Sequence, residues 1–244
     1  MEKSNAIFRL HDLIQTIYDR TTFGQSTNYK SIIADILDID KDDIVSILRF
    51  TSSFIQLHTE VIDIVKTNPL LSSEKNLNFI NKLEIAISKI SVDKDIDAYT
   101  RHIDSNTILA LDYMAEHLAL LEKHEKMELQ EEEINMFISE IENISSRLNE
   151  SNLPFELKEL VKNNLKVLKD SFLLYQVSGL DGVQSALEQI IGSVCLNQAA
   201  FENDSQSPEI SGFMGMVRKL VEVVQAGNAV GQFLDYINKY LPPE

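Results

Sequence analysis

The sequence predicts an all-α protein, an antiparallel multi-helix bundle of roughly eight to ten helices that ends in an apolar helical segment. Three observations carry that prediction. Apolar residues recur every three or four positions along nearly the whole chain, which is the period of one helix face. Five prolines and eight glycines in 244 residues leave few points that interrupt a helix. The breaks between periodic stretches are short, which makes successive helices antiparallel neighbours.

Ile7, Leu10, Ile14 and Ile17 form a stripe on a first helix that should end near Thr21, before Gly24. Tyr29, Ile32, Ile33, Ile36 and Leu37 mark a second, short helix. Asp40 is placed to cap a longer third one, since its carboxylate can accept from the free N–H groups of a first turn. The stripe of that helix runs Ile44, Ile47, Leu48, Phe54, Ile55, Val61, Ile62 and Val65, and Pro69 stops it. His58 lies on this stripe, as a hydrogen-bonded core or boundary residue. Ser72 or Ser73 caps a fourth helix carrying Leu77, Ile80, Leu83, Ile87 and Ile90. Residues 91–103 have the weakest period of the first half and read as a loop or broken helix.

The pattern resumes at Ile108, Leu111, Ala115 and Leu118, followed by the charged run Glu122 to Glu133. Ile134, Phe137, Ile138, Ile141, Ile144 and Leu148 mark the next helix. Asn152 and Pro154 open another, with proline near the first helical position, where its missing N–H costs nothing. Leu157, Leu160, Val161, Leu165, Leu168 and Phe172 give its apolar face. Gly179 reads as a helix terminator, with a tight turn leading into a helix over 183–198.

The chain divides by composition. Seven of the eight glycines fall after residue 178. Residues 1–207 carry 19 basic and 34 acidic side chains, whereas residues 208–244 carry 3 and 4. Acidity therefore belongs to the helical body. This gives an N-terminal helical bundle over 1–125, a helical hairpin region over 126–204 that continues it, and an apolar, glycine-containing helical segment over 208–241. Asp204-Ser-Gln-Ser-Pro208 reads as the linker before the last.

A formal net charge of −16 disfavours nucleic acid as a direct ligand, because such binding needs Lys and Arg to displace counterions from phosphates. An anionic membrane surface is disfavoured for the same reason. The charge keeps the chain soluble, and it also suits a basic protein partner on the acidic body. The single cysteine, Cys195, excludes an internal disulfide framework and sits in an apolar run, as a buried structural thiol would. Glu2, Lys3, Arg9 and Asp12 break any signal pattern, and no long uncharged apolar run spans a bilayer, so the expected location is cytoplasmic.

No catalytic constellation emerges, and no cofactor is implied. Asp93-x-Asp95-x-Asp97 opens like a calcium loop, with Asp104 at its twelfth position, but Ala98 stands where the loop needs glycine. Bundles that hold two metals use Glu-x-x-His pairs, and none occurs. His117 and His124, seven apart and flanked by Glu116 and Glu125, are weak candidates for a metal site on a helix surface; an exposed polar face is the plainer reading. The Arg-to-His spacing of HEPN-type helical nucleases is absent, as are His-Glu-x-x-His, a P-loop and Gly-x-Ser-x-Gly.

One segment suggests a mechanical role. Phe213, Val217, Leu220, Val224, Gly227, Gly231 and Leu234 share one helix face within residues 210–241. Gly227 and Gly231 remove side chains where another backbone could approach. The helix either closes the protein's own bundle, docks onto a second copy or a partner, or lies on a membrane after a trigger. Arg218, Lys219 and Glu222 prevent it from spanning one. The leading function is a non-enzymatic protein–protein interaction module: an adaptor, a regulatory subunit or an acidic inhibitor of an immunity type. The richness in Ile, Asn and Lys suggests a bacterial or phage source. Alternatives are a membrane-acting effector using the C-terminal segment and an enzyme or metal-binding protein with a dispersed site.

Overall fold

A computed structural model describes residues 5–22, 28–121 and 129–224. Among these residues the chain is helical, with eleven helices and no strand. The number passes the expected eight to ten because two helices are short pieces of four and six residues. The chain separates into two compact units. The described part of the first holds residues 5–22, 28–121 and 176–179, and that of the second holds 129–175 and 180–224.

The first unit contains α1 (Ala6–Thr22), α2 (Tyr29–Leu37), α3 (Ile44–Thr67), α4 (Glu74–Ile87), α5 (Asp97–Thr100) and α6 (Ser105–Leu121). α1 packs on α3 and α6, and α4 packs on the same two helices. The four therefore form a ring with α3 and α6 on one diagonal; α2 lies against α3 and α5 against α4. Its core includes Ile7, Leu10 and Ile14 of α1, Phe50, Phe54 and Val61 of α3, Ile80 and Leu83 of α4, and Leu111 of α6.

Local chemistry sets the ends of these helices. The Asn28 side chain caps α2 by accepting from the Ser31 N–H at 3.2 Å. Asp43, rather than the expected Asp40, caps α3, accepting from the Ser46 N–H at 3.1 Å and its hydroxyl at 2.7 Å. Asp40 is used one turn earlier: its carbonyl accepts from Asp43 N at 2.9 Å and its carboxylate from Asp42 N at 2.8 Å. Ser73 caps α4. The weakly periodic stretch 91–103 is a run of turns around α5 that buries Ile96, Tyr99 and Ile103. Asp104 then caps α6 through the Thr107 N–H and hydroxyl at 2.8 and 2.7 Å.

The second unit contains α7 (Glu131–Glu150), α8 (Phe155–Leu173), α10 (Gln198–Asn203), α11 (Pro208–Val224) and most of α9 (Tyr175–Leu196). α7 and α8 run antiparallel: Phe137 stacks on Phe172 at 5.5 Å, Glu142 pairs with Lys169 at 2.7 Å, and Lys158 donates to the Ser151 carbonyl at the connecting end. α11 also runs antiparallel to α7, with Lys219 at 3.4 Å from Glu140 and Arg147 beside Gly212. Asp204–Ser207 is a turn within this unit, and α11 belongs to its core.

Gly179 interrupts α9 with φ 58° and ψ −157°, a conformation open essentially to glycine. The helix resumes at Leu180 rather than after a turn to residue 183. The Arg9 guanidinium lies over this glycine, donates from Nε to the Val177 carbonyl at 3.1 Å, and stands 3.8 Å from Glu60.

Candidate functional site

The apolar stripe near the C-terminus is where the sequence places a docking face. Phe213, Val217, Leu220 and Val224 all lie on α11, and all four are buried in the second unit's own core. Phe213 stacks on Phe201 at 6.1 Å between centroids, and Ile144, Leu165 and Leu187 belong to the same cluster. The described part of the stripe thus closes its own bundle and offers no free face. A periodic apolar stripe is the same pattern whether its cover is internal or external. Gly227, Gly231 and Leu234 lie outside the described residues.

The acidic candidates do not converge. Asp93 pairs with Lys30 at 2.6 Å, which holds its carboxyl below the usual carboxylate range. Asp104 is held by Lys82 at 2.7 Å and by Thr107, which bring its pKa down to about 2. His117 is exposed on α6, and His124 lies outside the described residues. Among the described residues no group of three His, Cys, Asp or Glu side chains is arranged to hold a metal. Cys195 is exposed, contrary to a buried thiol: α9 turns Val194 into the core and leaves Cys195 and Leu196 outside.

The deepest polar cluster sits in the first unit. His58 is fully buried on α3; its Nδ1 lies 2.8 Å from the Phe54 carbonyl and its Nε2 lies 2.9 Å from the Tyr99 hydroxyl. A carbonyl only accepts, so Nδ1 carries the proton and Nε2 accepts from the tyrosine. Burial lowers the His58 pKa to about 4, against the smaller opposing pull of the Phe54 carbonyl. About two turns back along α3, the Tyr29 and Thr51 hydroxyls are 2.9 Å apart, and burial raises the Tyr29 pKa to about 12. Burial likewise pushes Tyr99 well above its ordinary value. These groups are sealed and mutually satisfied, which makes them architecture.

What the structure leaves unpartnered are two rows of apolar side chains on α3 and α6. Ile44, Val45, Leu48 and Ile55 of α3 are exposed, Val45 by 58% and Leu48 by 50%. With Ser52 they fall within an arc of about 100° on a regular helix, opposite the buried Phe50, Phe54 and Leu57. No charged residue stands in that arc between Ile44 and Ile55. On α6, Leu109, Tyr113 and Leu120 make a second row, with Tyr113 63% exposed.

Comparison with known protein families, curated proteins and solved structures finds no match to this chain. The residues themselves carry the reading. The sequence treats Ile44, Leu48 and Ile55 as core because they continue the stripe of Ile47 and Phe54. The signal that separates them is angular: Ile44, Leu48 and Ile55 recur on a second arc, which the uncharged Ser52 extends. No helix among the described residues is long and apolar enough to cross a membrane.

Proposed function

We propose that this chain is a non-enzymatic protein-interaction module, an adaptor or regulatory subunit that presents a helix face to another protein. One observation carries the reading: a charge-free row of exposed aliphatic side chains on α3, in a chain whose formal net charge is −16. Exposed apolar side chains aligned in one row are a common mark of an interaction site. The reading moves the docking face from α11, whose stripe is internally covered, to α3, with α6 as the second surface. The sealed state of His58, Tyr29 and Tyr99 supports a non-catalytic role for the one buried titratable cluster described. In this reading the protein works in the cytoplasm, where a chain with one cysteine needs no disulfide.

Affinity purification of the tagged chain from its native cell, followed by the mass of the intact complex, tests the proposal. We expect a stoichiometric partner that is lost with Leu48→Glu, a substitution at a half-exposed position that leaves the fold intact. Recovery of a bare monomer from both forms overturns the reading, as does a partner that binds the Leu48→Glu form equally well.

A further inference from the structure

We infer that the α3 row seats one amphipathic helix of a partner protein, with apolar side chains at helical spacing and Lys or Arg at its ends. The inference rests on the interaction reading above and adds the chemistry of the partner. Ile44, Val45, Leu48, Ser52 and Ile55 form a straight ridge about 16 Å long, about three helical turns. A ridge of that shape is matched by the i, i+4, i+7 anchors of a second helix laid along it.

Charge at the two ends selects the sign of the partner. Asp38, Asp40 and Asp42 are exposed just before Ile44, with Lys41 among them. Asp63 is exposed further along α3, on the same angular position as Val45. None of these four aspartates joins an ion pair among the described residues. Lys66, on the same arc, is taken by Glu84, and Arg49 lies at the edge of the arc. The surface is therefore apolar in the middle and negative at both ends.

A second copy of this chain fits the row poorly, because its own aspartates would meet these and like charges opposed across an interface are costly. An anionic lipid surface meets the same repulsion. A helix with cationic ends satisfies both parts of the surface at once. The α6 row carries Asp112 and Glu116 along its edge, so it lacks the charge-free middle of the α3 row.

A fluorescent Leu/Lys amphipathic peptide of about twenty-one residues, roughly six helical turns and long enough to run from Asp42 to Asp63, is the probe, titrated into the full-length chain by anisotropy at low and at physiological salt. A Leu/Glu peptide of the same pattern is the control. We expect the Leu/Lys peptide to bind, more weakly at the higher salt, and to shift the amide resonances of residues 44–56. Val45→Ser with Leu48→Ser, and separately Asp42→Lys with Asp63→Lys, should each weaken it by about tenfold, on the scale of losing one or two central contacts. Tyr113→Ser on α6 should leave it unchanged. Binding that ignores both α3 double variants, equal binding of the Leu/Glu peptide, or shifts mapped elsewhere overturns the assignment. If the peptide fails while Leu48→Glu still strips the native partner, only the basic-helix assignment falls. If the native partner is also indifferent to Leu48→Glu, the interaction reading falls with it.

Discussion

At the centre of the first unit stand a histidine, two tyrosines and a threonine joined by hydrogen bonds; the second unit is filled by aliphatic and phenylalanine side chains. In the first, His58 bonds Phe54 and Tyr99, and Tyr29 bonds Thr51, tying α2 and α5 to α3. In the second, Phe137 stacks on Phe172 and Phe201 on Phe213, with Asn164 and Ser193 joined at 3.0 Å. α5 has four residues and α2 nine, too few to hold their conformation by propensity, and directional bonds from buried side chains fix both in place. The six-residue α10 of the second unit is anchored instead by its buried Phe201, stacked on Phe213. α7, α8 and α11, with 17 to 20 residues each, need only a continuous apolar stripe.

The sharpest way to break this contrast is to hollow the apolar unit. Phe213→Ala removes a fully buried ring and should cost about 4 kcal/mol, the usual range for such a cavity. Urea unfolding checks it, and a loss under about 1 kcal/mol would mean the second unit repacks freely.

Acid should weaken the polar unit by a smaller amount. His58 is neutral when folded and its pKa is lowered to about 4, whereas in the unfolded chain it takes a proton below about pH 6.5. The unfolded state therefore binds more protons between those values, and the histidine's contribution is complete above pH 6.5 and lost as pH falls toward 4. The loss is about 3 kcal/mol over that window. Denaturation at several pH values, on the parent and on His58→Gln, isolates it; an unchanged slope in the variant would sink the assignment. The Asp104 carboxyl loses its contribution only from the ordinary aspartate value of 3.8 down to about 2, below this window.

The smallest effect belongs to the exposed rows. Leu48→Ser and Tyr113→Ser should each change stability by less than about 0.5 kcal/mol, as surface positions do. A melting shift comparable to that of Phe213→Ala would show that these rows are covered and would remove the basis for a docking face.

Helix positions were largely legible in the sequence, because the apolar stripes of α1, α2, α3, α6, α7 and α8 are long or cleanly bounded by capping residues and prolines. Asp40 and Asp43 show where that reading stops. Both are aspartates able to cap, and the sequence does not say which one the preceding turn consumes. Residues 91–103 hid Ile96, Tyr99 and Ile103 because three spaced residues make too short a pattern to register as a period. Tyr99's bond to His58 joins positions 41 apart, a contact with no local trace. The α11 stripe was legible as a stripe, but its cover was not, since burial inside one chain and burial against another need the same side chains. The exposed α3 row was obscured by sharing a helix with a core stripe.

Cys195 has a practical consequence of its own. The chain's single thiol stands at the surface near the end of α9, beside a Leu196 that is 88% exposed. Two molecules stored in air can be stitched together there by one S–S bond, giving twice the monomer mass with no native assembly involved. The same thiol accepts one maleimide dye or spin label without any cysteine having to be engineered in, so distances from the rim of the second unit are open to direct spectroscopy.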